Sequence, residues 1–324
     1  MNDANGSGNW AIETRKLTKH YGRQCVVNQL NLRVPTGGVY GLLGRNGAGK
    51  STSIKMLMGL VRPDYGTAVM LGEDVSELKP ETRGRIAYLA EGHPLYPWMT
   101  VKQCVDFCSP FYPKWNGRMV EQVLDHFALS SKKKVKHLSR GQRGQLALTL
   151  AVAPDPDLLI LDDPTLGLDP TVRRDFLDSI VQIIQRPGRT ILFSSHILPD
   201  VERVADRIGV MLDGVLRVDC PTEVFKASVV KVVCEFEGTI PQMPTPAGLL
   251  QKRQLGKKVE LAFVRYGDEQ RKELERLQPK KIEEVSLSLE DAFIEYTREA
   301  RRPLNLFSGE ELPEEVADGA LVGS

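Results

Sequence analysis

The sequence predicts an α/β protein with a mainly parallel central sheet, a helical insertion and a small α+β C-terminal unit. Three observations predict it. Apolar runs at Val39–Leu43, Leu158–Leu161 and Thr190–Phe193 have strand length and are apolar throughout, as strands covered on both faces are. The last two are separated by a stretch from Pro170 to about Gln185, in which Phe176, Ile180, Ile183 and Ile184 keep near-helical spacing. The first run leads into glycine-rich Gly44–Gly49, followed by a helical pattern from Lys50 to Leu60. Buried strands alternating with helices imply a sheet with helices on its faces.

The remaining elements follow in order. Val101–Phe107 and Met119–Phe127 are helical in pattern and flank Pro110 and Pro113, so residues from about 100 to 138 read as a helical insertion. After Pro221 the character changes. Val229–Glu237 and Lys258–Val264 alternate like strands with one exposed face, Asp268–Leu277 is a charged helix, and Val285–Tyr296 returns to a mixed apolar pattern. Beyond Arg302 the chain carries Glu310, Glu311, Glu314, Glu315 and Asp318 with no positive charge, the composition of a disordered tail.

Composition narrows the function classes. The 324 residues are 41% hydrophobic and 26% charged, and 43 Lys and Arg nearly cancel 42 Asp and Glu. No global field draws such a chain to nucleic acid. The run Lys132–Lys134 with Lys136 reads as a solvated helix end, without the interleaved aromatics of single-strand binding. Five cysteines at 25, 104, 108, 220 and 234 do not form a disulfide framework. Cys104 and Cys108, one helical turn apart, read as buried thiols rather than metal ligands. Met1–Gly8 lacks the apolar core of a signal peptide, and no apolar run approaches the ~20 residues that cross a bilayer. His20, His93, His126 and His137 show no ligand spacing.

Gly44-Arg45-Asn46-Gly47-Ala48-Gly49-Lys50-Ser51 fits G-x-x-x-x-G-K-[ST] in full. Glycines let backbone N–H groups curl around a phosphate chain, and the following helix presents its positive end to the same anion. Lys50 reaches the terminal phosphates, the Ser51 hydroxyl is placed for Mg²⁺, and Thr52 supports the outer phosphates. This loop alone does not distinguish kinases, GTPases and ATPases.

Further motifs do. Leu158-Leu159-Ile160-Leu161-Asp162-Asp163 is similar to a Walker B strand, whose acid, Asp162, is delivered rigidly to the metal shell. Leu138-Ser139-Arg140-Gly141-Gln142 resembles the signature LSGGQ, about twenty residues before it. Gly167-Leu168-Asp169 resembles the D-loop and Ser195-His196 the switch histidine. On these motifs, in the family's order, residues 10 to 217 resemble the nucleotide-binding subunits of ABC transporters. The resemblance implies a P-loop NTPase fold of the ABC type binding ATP and Mg²⁺. Tyr21 would stack on adenine, Asp163 would act on the attacking water, His196 would contact the γ-phosphate, and Glu91 would stand where a Q-loop glutamine is usual. It also implies a head-to-tail dimer, in which Ser139, Gly141 and Gln142 of one copy, with Asp169, meet the nucleotide held by the other. A small residue at a helix N-terminus is a second anion cradle. The expected organisation is a flexible 1–8, an ATPase domain at 9–220 with its helical insertion at about 92–145, a small accessory or dimerisation unit at 221–302 and an acidic tail at 303–324.

Three positions depart from the commonest pattern. Asp163 replaces the usual Glu and is one methylene shorter, so hydrolysis is expected to be slow. Glu91 replaces Gln and adds negative charge near the phosphates while remaining able to ligate the metal. Arg140 replaces a glycine; it either faces the partner's nucleotide or is inert, and the inert reading is favoured because Ser139 and Gly141 retain the cradle. Glu284–Phe293 and Tyr112–Trp115 are similar to segments of exporter-type subunits. They imply a separately encoded permease, homodimer or heterodimer assembly, and a peripheral place on the cytoplasmic face of the membrane. Leu95, Tyr96 and Trp98 are the expected exposed contacts for that permease. An ATP sensor with weak hydrolysis and a non-transport ABC ATPase are the alternatives; no nucleic-acid partner is expected.

Overall fold

The computed structural model describes residues 10–184 and 188–298. The expected flexible N-terminus, the acidic tail and the ends of two elements, at Gln185 and beyond Arg298, lie outside the described residues.

The chain opens with β1 (Trp10–Tyr21), β2 (Gln24–Leu30) and β3 (Arg33–Pro35), then enters β4 (Gly38–Leu43) and helix α1 (Lys50–Leu57). It returns through β5 (Tyr65–Met70), β6 (Glu73–Asp74) and the short α2 (Pro80–Arg83) to β7 (Ile86–Leu89). Helices α3 (Val101–Cys108), α4 (Gly117–His126) and α5 (Arg140–Val152) follow, then β8 (Leu158–Asp162), α6 (Pro170–Ile184), β9 (Thr190–Ser195), α7 (Leu198–Val204), β10 (Arg207–Leu212) and β11 (Val215–Pro221). The last part is α8 (Thr222–Ser228), β12 (Val229–Glu235), β13 (Leu249–Leu255), β14 (Lys258–Val264), α9 (Asp268–Glu275), β15 (Lys281–Ser286) and α10 (Leu289–Thr297).

These strands make three sheets. The central one has the order β11-β10-β4-β9-β8-β7. Every pair in it is parallel except β10 with the edge strand β11, which runs antiparallel. A second, antiparallel sheet joins β1 to β2, β3 and β5, with β6 beyond β5. A third, antiparallel throughout, has the order β13-β14-β12-β15. A mainly parallel sheet therefore describes the centre of the molecule and not the whole. Buried apolar runs in the sequence mark doubly covered strands, whereas half-exposed antiparallel strands carry a weaker pattern.

Strand alternation divides the core in two. Leu159, Leu161, Ile191, Phe193, Ile208 and Val210 face a cluster with Ala147, Leu148, Phe176, Ile180 and Val201. Their neighbours Leu158, Ile160, Leu192, Tyr40 and Leu42 face the opposite cluster, with Ile12, Val27, Leu30, Ile54 and Leu57. The antiparallel sheet and α1 cover one face, and α5, α6 and α7 cover the other. Helices α3 and α4 build a separate core with Val101, Cys104, Val120 and Leu124. That core includes Leu146 and Leu150 of α5, while Ala147 and Leu148 on the same helix belong to the central core. Helix α5 thus runs unbroken through residue 145, where the insertion was expected to close. Helix α1 stops at Leu57, short of Leu60, because Gly59 turns left-handed, with φ 70°, and the Gly59 and Leu60 N–H groups close back onto Met56 O and Lys55 O.

The third sheet has its own core of Val232, Cys234, Val259, Leu261, Phe263 and Leu274. Helix α10 returns to the central unit, where Leu289, Ala292 and Phe293 join the core beside α7. Glu202 accepts a hydrogen bond from the Leu289 N–H at 3.3 Å and pairs with Lys226 at 2.8 Å. No helix among the described residues is long and apolar enough to cross a membrane.

Phe193 is wholly buried in a central strand. Phe193→Ala is expected to cost about 3–5 kcal/mol, read as a lower urea midpoint in far-UV circular dichroism.

Candidate functional site

Parallel pairing brings the ends of three strands together. Leu43 stands opposite Ser195, and Asp162 opposite Ser194. The loop after β4, the acid ending β8 and the segment ending β9 therefore share one edge of the sheet, where ligands of open α/β sheets bind.

At that edge lies a cavity of about 300 Å³, lined by Asn46 to Thr52 together with Glu91, Asp163, Leu166, His196 and Val26. Gly44 is buried at the base of the loop, and Arg45 and Asn46 are exposed at its tip. Gly49 precedes α1 with φ 101°. A side chain there would be both strained by that angle and 2.6 Å from Val26 O.

Lys50 is buried, and its Nζ donates to Gly44 O at 2.8 Å. Burial lowers its pKa, and the charges of Asp163, Asp162 and Glu91 pull it back up. Asp162 Oδ1 accepts from Ser194 Oγ at 2.7 Å and from Ser51 Oγ at 3.1 Å. Burial raises the Asp162 pKa; the two hydroxyls counter this, and the neighbouring Asp163 adds to it. Burial, then the charges of Asp162 and Glu91, push Tyr88 up to about 12.

Asp163 Oδ1 faces His196 twice, at 2.8 Å from Nδ1 and 3.2 Å from the backbone N–H. Its backbone is left-handed, with φ 43°, an uncommon state for a residue other than glycine. The turn it opens is braced from several sides. The Asp163 N–H reaches Ser194 O and Ser194 Oγ, both at 3.1 Å. Thr165 Oγ1 donates to buried Asp200 at 2.6 Å, which also pairs with Arg173 at 3.3 Å.

The predicted site residues divide into two groups. The loop Asn46–Thr52, Glu91, Asp163 and His196 line the cavity, with Gly44, Arg45 and Asp162 adjoining it in the chain. Tyr21, Ser139, Gly141, Gln142 and Asp169 do not line it. Tyr21 is 50% exposed at the end of β1, with the Lys19 ammonium 5.7 Å from its ring centroid. Ser139 caps α5 reciprocally: its hydroxyl accepts from the Gln142 N–H, and Gln142 Oε1 accepts from the Ser139 N–H. Lys133 Nζ donates to the same Oε1 at 3.1 Å, so this lysine has a partner in the cap as well as solvent. Gly141 is buried against Val172. Asp169 accepts from the Val172 N–H and caps α6. Arg140 lies over Gly167, in the space a side chain there would take.

Two residues carried no role in the sequence. Ser194 supplies a hydroxyl to Asp162; its position just before Ser195-His196 was the available signal. His93, without ligand spacing, is only 3% exposed, and its Nε2 is 2.9 Å from Pro164 O. Leu95, expected to be exposed, is half-buried against two apolar cores, because its side chain fills the junction between them.

The donor set suits a phosphate chain and a hard cation. The loop offers backbone N–H groups and one ammonium. The Ser51 hydroxyl and the Asp162 carboxylate supply oxygen ligands of the kind Mg²⁺ prefers. Among the described residues no group of three or more His, Cys, Asp and Glu is arranged to hold a metal.

Comparison with known proteins agrees. A family model described as ABC transporter matches residues 27–166. The chain is 30% identical over 283 residues to the ABC transporter ATP-binding protein YtrB of Bacillus subtilis (strain 168), covering 87% of this chain and 97% of that one. It is 36% identical over 217 residues to the bacitracin transport ATP-binding protein BcrA of Bacillus licheniformis, covering 66% and 71%. A solved structure described as the ATP binding subunit of an ABC transporter superposes with TM-score 0.62 at 27% identity, covering 67% of this chain and 92% of that one.

Gly49→Ala should displace the loop that surrounds Lys50. Affinity for a fluorescent ATP analogue is expected to fall at least about tenfold, that is by about 1.4 kcal/mol, measured by titration.

Proposed function

Since the chain belongs to the ABC transporter family as an ATP-binding subunit, we propose that it closes with a second such subunit around two Mg-ATP and hydrolyses them to move a separately encoded permease. One observation carries this reading: the phosphate loop, the Ser51–Asp162 pair and the Asp163–His196 pair converge on a single cavity.

Each group has a task there. Gly44 to Gly49 surround the phosphates with N–H donors, and Lys50 neutralises their outer charge. Ser51 and Asp162 would hold the metal, and Glu91 would add a further carboxylate beside it. Bound Mg²⁺ would neutralise charge on the outer phosphates as the bond to the leaving oxygen breaks. Asp163 orients the attacking water. Its Oδ1 is occupied by His196, while Oδ2 takes no hydrogen bond from the described residues and is the atom open to water. His196 fixes that carboxylate and reaches the γ-phosphate.

The proposed dimer gives a task to the predicted residues that do not line the cavity. Tyr21 supplies the adenine platform from the same chain. The Ser139 cap, Gly141, Gln142 and Asp169 serve the nucleotide of the partner, in a homodimer or with a similar subunit. The permease would dock on an exposed aromatic row. Tyr96 and Trp98 have ring centroids 5.0 Å apart, Tyr96 and Phe107 5.8 Å, and Phe107 and Phe111 5.5 Å. Trp98 is 63% and Phe111 69% exposed, and a short apolar helix is the complement of such a surface. The name of one relative, the Nod factor export ATP-binding protein I of Burkholderia orbicola (strain AU 1054), favours an exporter. The chain would then work in the cytoplasm, held to the membrane by its permease. The 221–302 segment would stabilise or regulate the closed dimer.

Asp163 also favours a second reading, an ATP sensor that hydrolyses weakly, because a misplacement of about 1 Å can cost about 10²-fold in rate. Phosphate release under saturating Mg-ATP tests both. Asp163→Glu is expected to raise turnover about tenfold or more. Asp163→Asn is expected to abolish turnover, keep ATP binding, and accumulate a dimer visible by light scattering. No gain with Glu would refute the account of slow hydrolysis, and a strictly monomeric Asn variant would refute the dimer.

A further inference from the structure

We propose that His93 is a positioning residue for hydrolysis, holding the turn that aims Asp163. The inference rests on the proposed role of Asp163.

The Asp163 turn is a strained object. A left-handed aspartate persists where its surroundings fix it on every side. On the β9 side, Ser194 and His196 provide that restraint. On the opposite side the next residue is Pro164, which has no N–H to anchor it, so only its carbonyl is available. His93 takes that carbonyl: since the oxygen can only accept, Nε2–H donates across 2.9 Å. The donor is itself held in a left-handed state, with φ 52°, and its N–H closes on Ala90 O at 3.2 Å. One left-handed residue, His93, is therefore bonded to the residue that follows another, Asp163, on the adjacent loop.

The ring has little freedom to move away. Gly144 of α5 stands so close that a side chain there would lie 3.1 Å from His93 Cε1. Phe176 of α6 lies on another side, its ring centroid at 6.5 Å. The imidazole is wedged between the segment after β7, the turn after β8 and two helices. Glu91 is two residues upstream, so the Glu91 segment and the Asp163 turn are fixed to each other through this side chain. Buried donors and acceptors rarely go unmatched, and loss of this donor leaves the Pro164 carbonyl free to rotate, taking Asp163 with it.

The test separates positioning from packing. His93→Leu keeps bulk and removes the donor; His93→Gln keeps a donor near the Nε2 position. The Leu variant is expected to lose kcat about tenfold or more, with KM for ATP and affinity for a fluorescent ATP analogue within about twofold of the parent. The Gln variant is expected to stay within about threefold in kcat. Gly144→Ala, which presses on the ring, should lower kcat in the same sense as Leu. Hydrogen exchange supplies a readout independent of turnover: the Leu variant should exchange faster across residues 163–168 and not across the phosphate loop. Unchanged kcat and unchanged exchange in the Leu variant would overturn the proposal. So would a loss that Gln fails to rescue, or one that tracks lost ATP binding or lowered Tm. If the parent chain binds no ATP analogue, the proposed function fails instead, and the exchange measurement still decides whether His93 holds the turn.

Discussion

The structure depends first on the register of β4, β9 and β8. In-register parallel pairing sets Leu43 beside Ser195 and Asp162 beside Ser194. A phosphate loop meets, within hydrogen-bond reach, a carboxylate and a histidine segment that lie more than a hundred residues further along the chain. Because side chains alternate along a strand, a slip of one residue that brought Leu161 to the place of Asp162 would set a leucine beside Ser51 and the carboxylate on the other face of the sheet. The two apolar layers on either side of the sheet oppose such a slip: Leu159, Leu161 and Phe193 fill one, and Leu158, Ile160 and Leu192 the other. The packing that stabilises the fold is the same packing that sets the chemistry.

That register gathers charge that would be unfavourable anywhere else. Asp162 and Lys50 are both buried, and each is pushed toward its neutral form by burial. What offsets the cost is mutual. The carboxylates of Asp163, Asp162 and Glu91 act on Lys50, and two hydroxyls support Asp162. Such a site is poised for a ligand that brings the complementary charges, a cation for the acids and phosphate oxygens for the ammonium.

Legibility in the sequence followed the strength of the physical constraint. Walls buried on both sides leave uninterrupted apolar runs, so β4, β8 and β9 could be read within about two residues. The phosphate loop was legible because backbone approach demands glycine at fixed places. Strand β13, Leu249–Leu255, went unread; it is an edge strand that half-buries the polar Gln251 and Arg253 and exposes Leu255, so no apolar alternation marks it. Strand β1 was hidden for another reason: its register shifts and the left-handed Lys16 break the alternation that marks a strand. His93 was illegible because its role lies in a contact seventy-one residues away, and a single histidine has no local spacing to announce it.

Arg140 has a definite place in the fold. A cation in place of a glycine at the start of α5 was expected to face the nucleotide of a partner or, as favoured, to be inert. Its guanidinium lies over Gly167, in the loop between the Asp163 turn and α6. The start of α5 is thus in contact with the loop that follows Asp163, and the middle of the same helix, at Gly144, touches His93, which holds Pro164. Helix α5 therefore meets the hydrolytic turn at two points from one side, while Ser194 and His196 meet it from the other. In the proposed dimer the N-terminus of α5 is the part presented to the partner's nucleotide. A helix pressed there by binding cannot shift without moving both contacts, so engagement at one nucleotide would be felt at the carboxylate that serves the other.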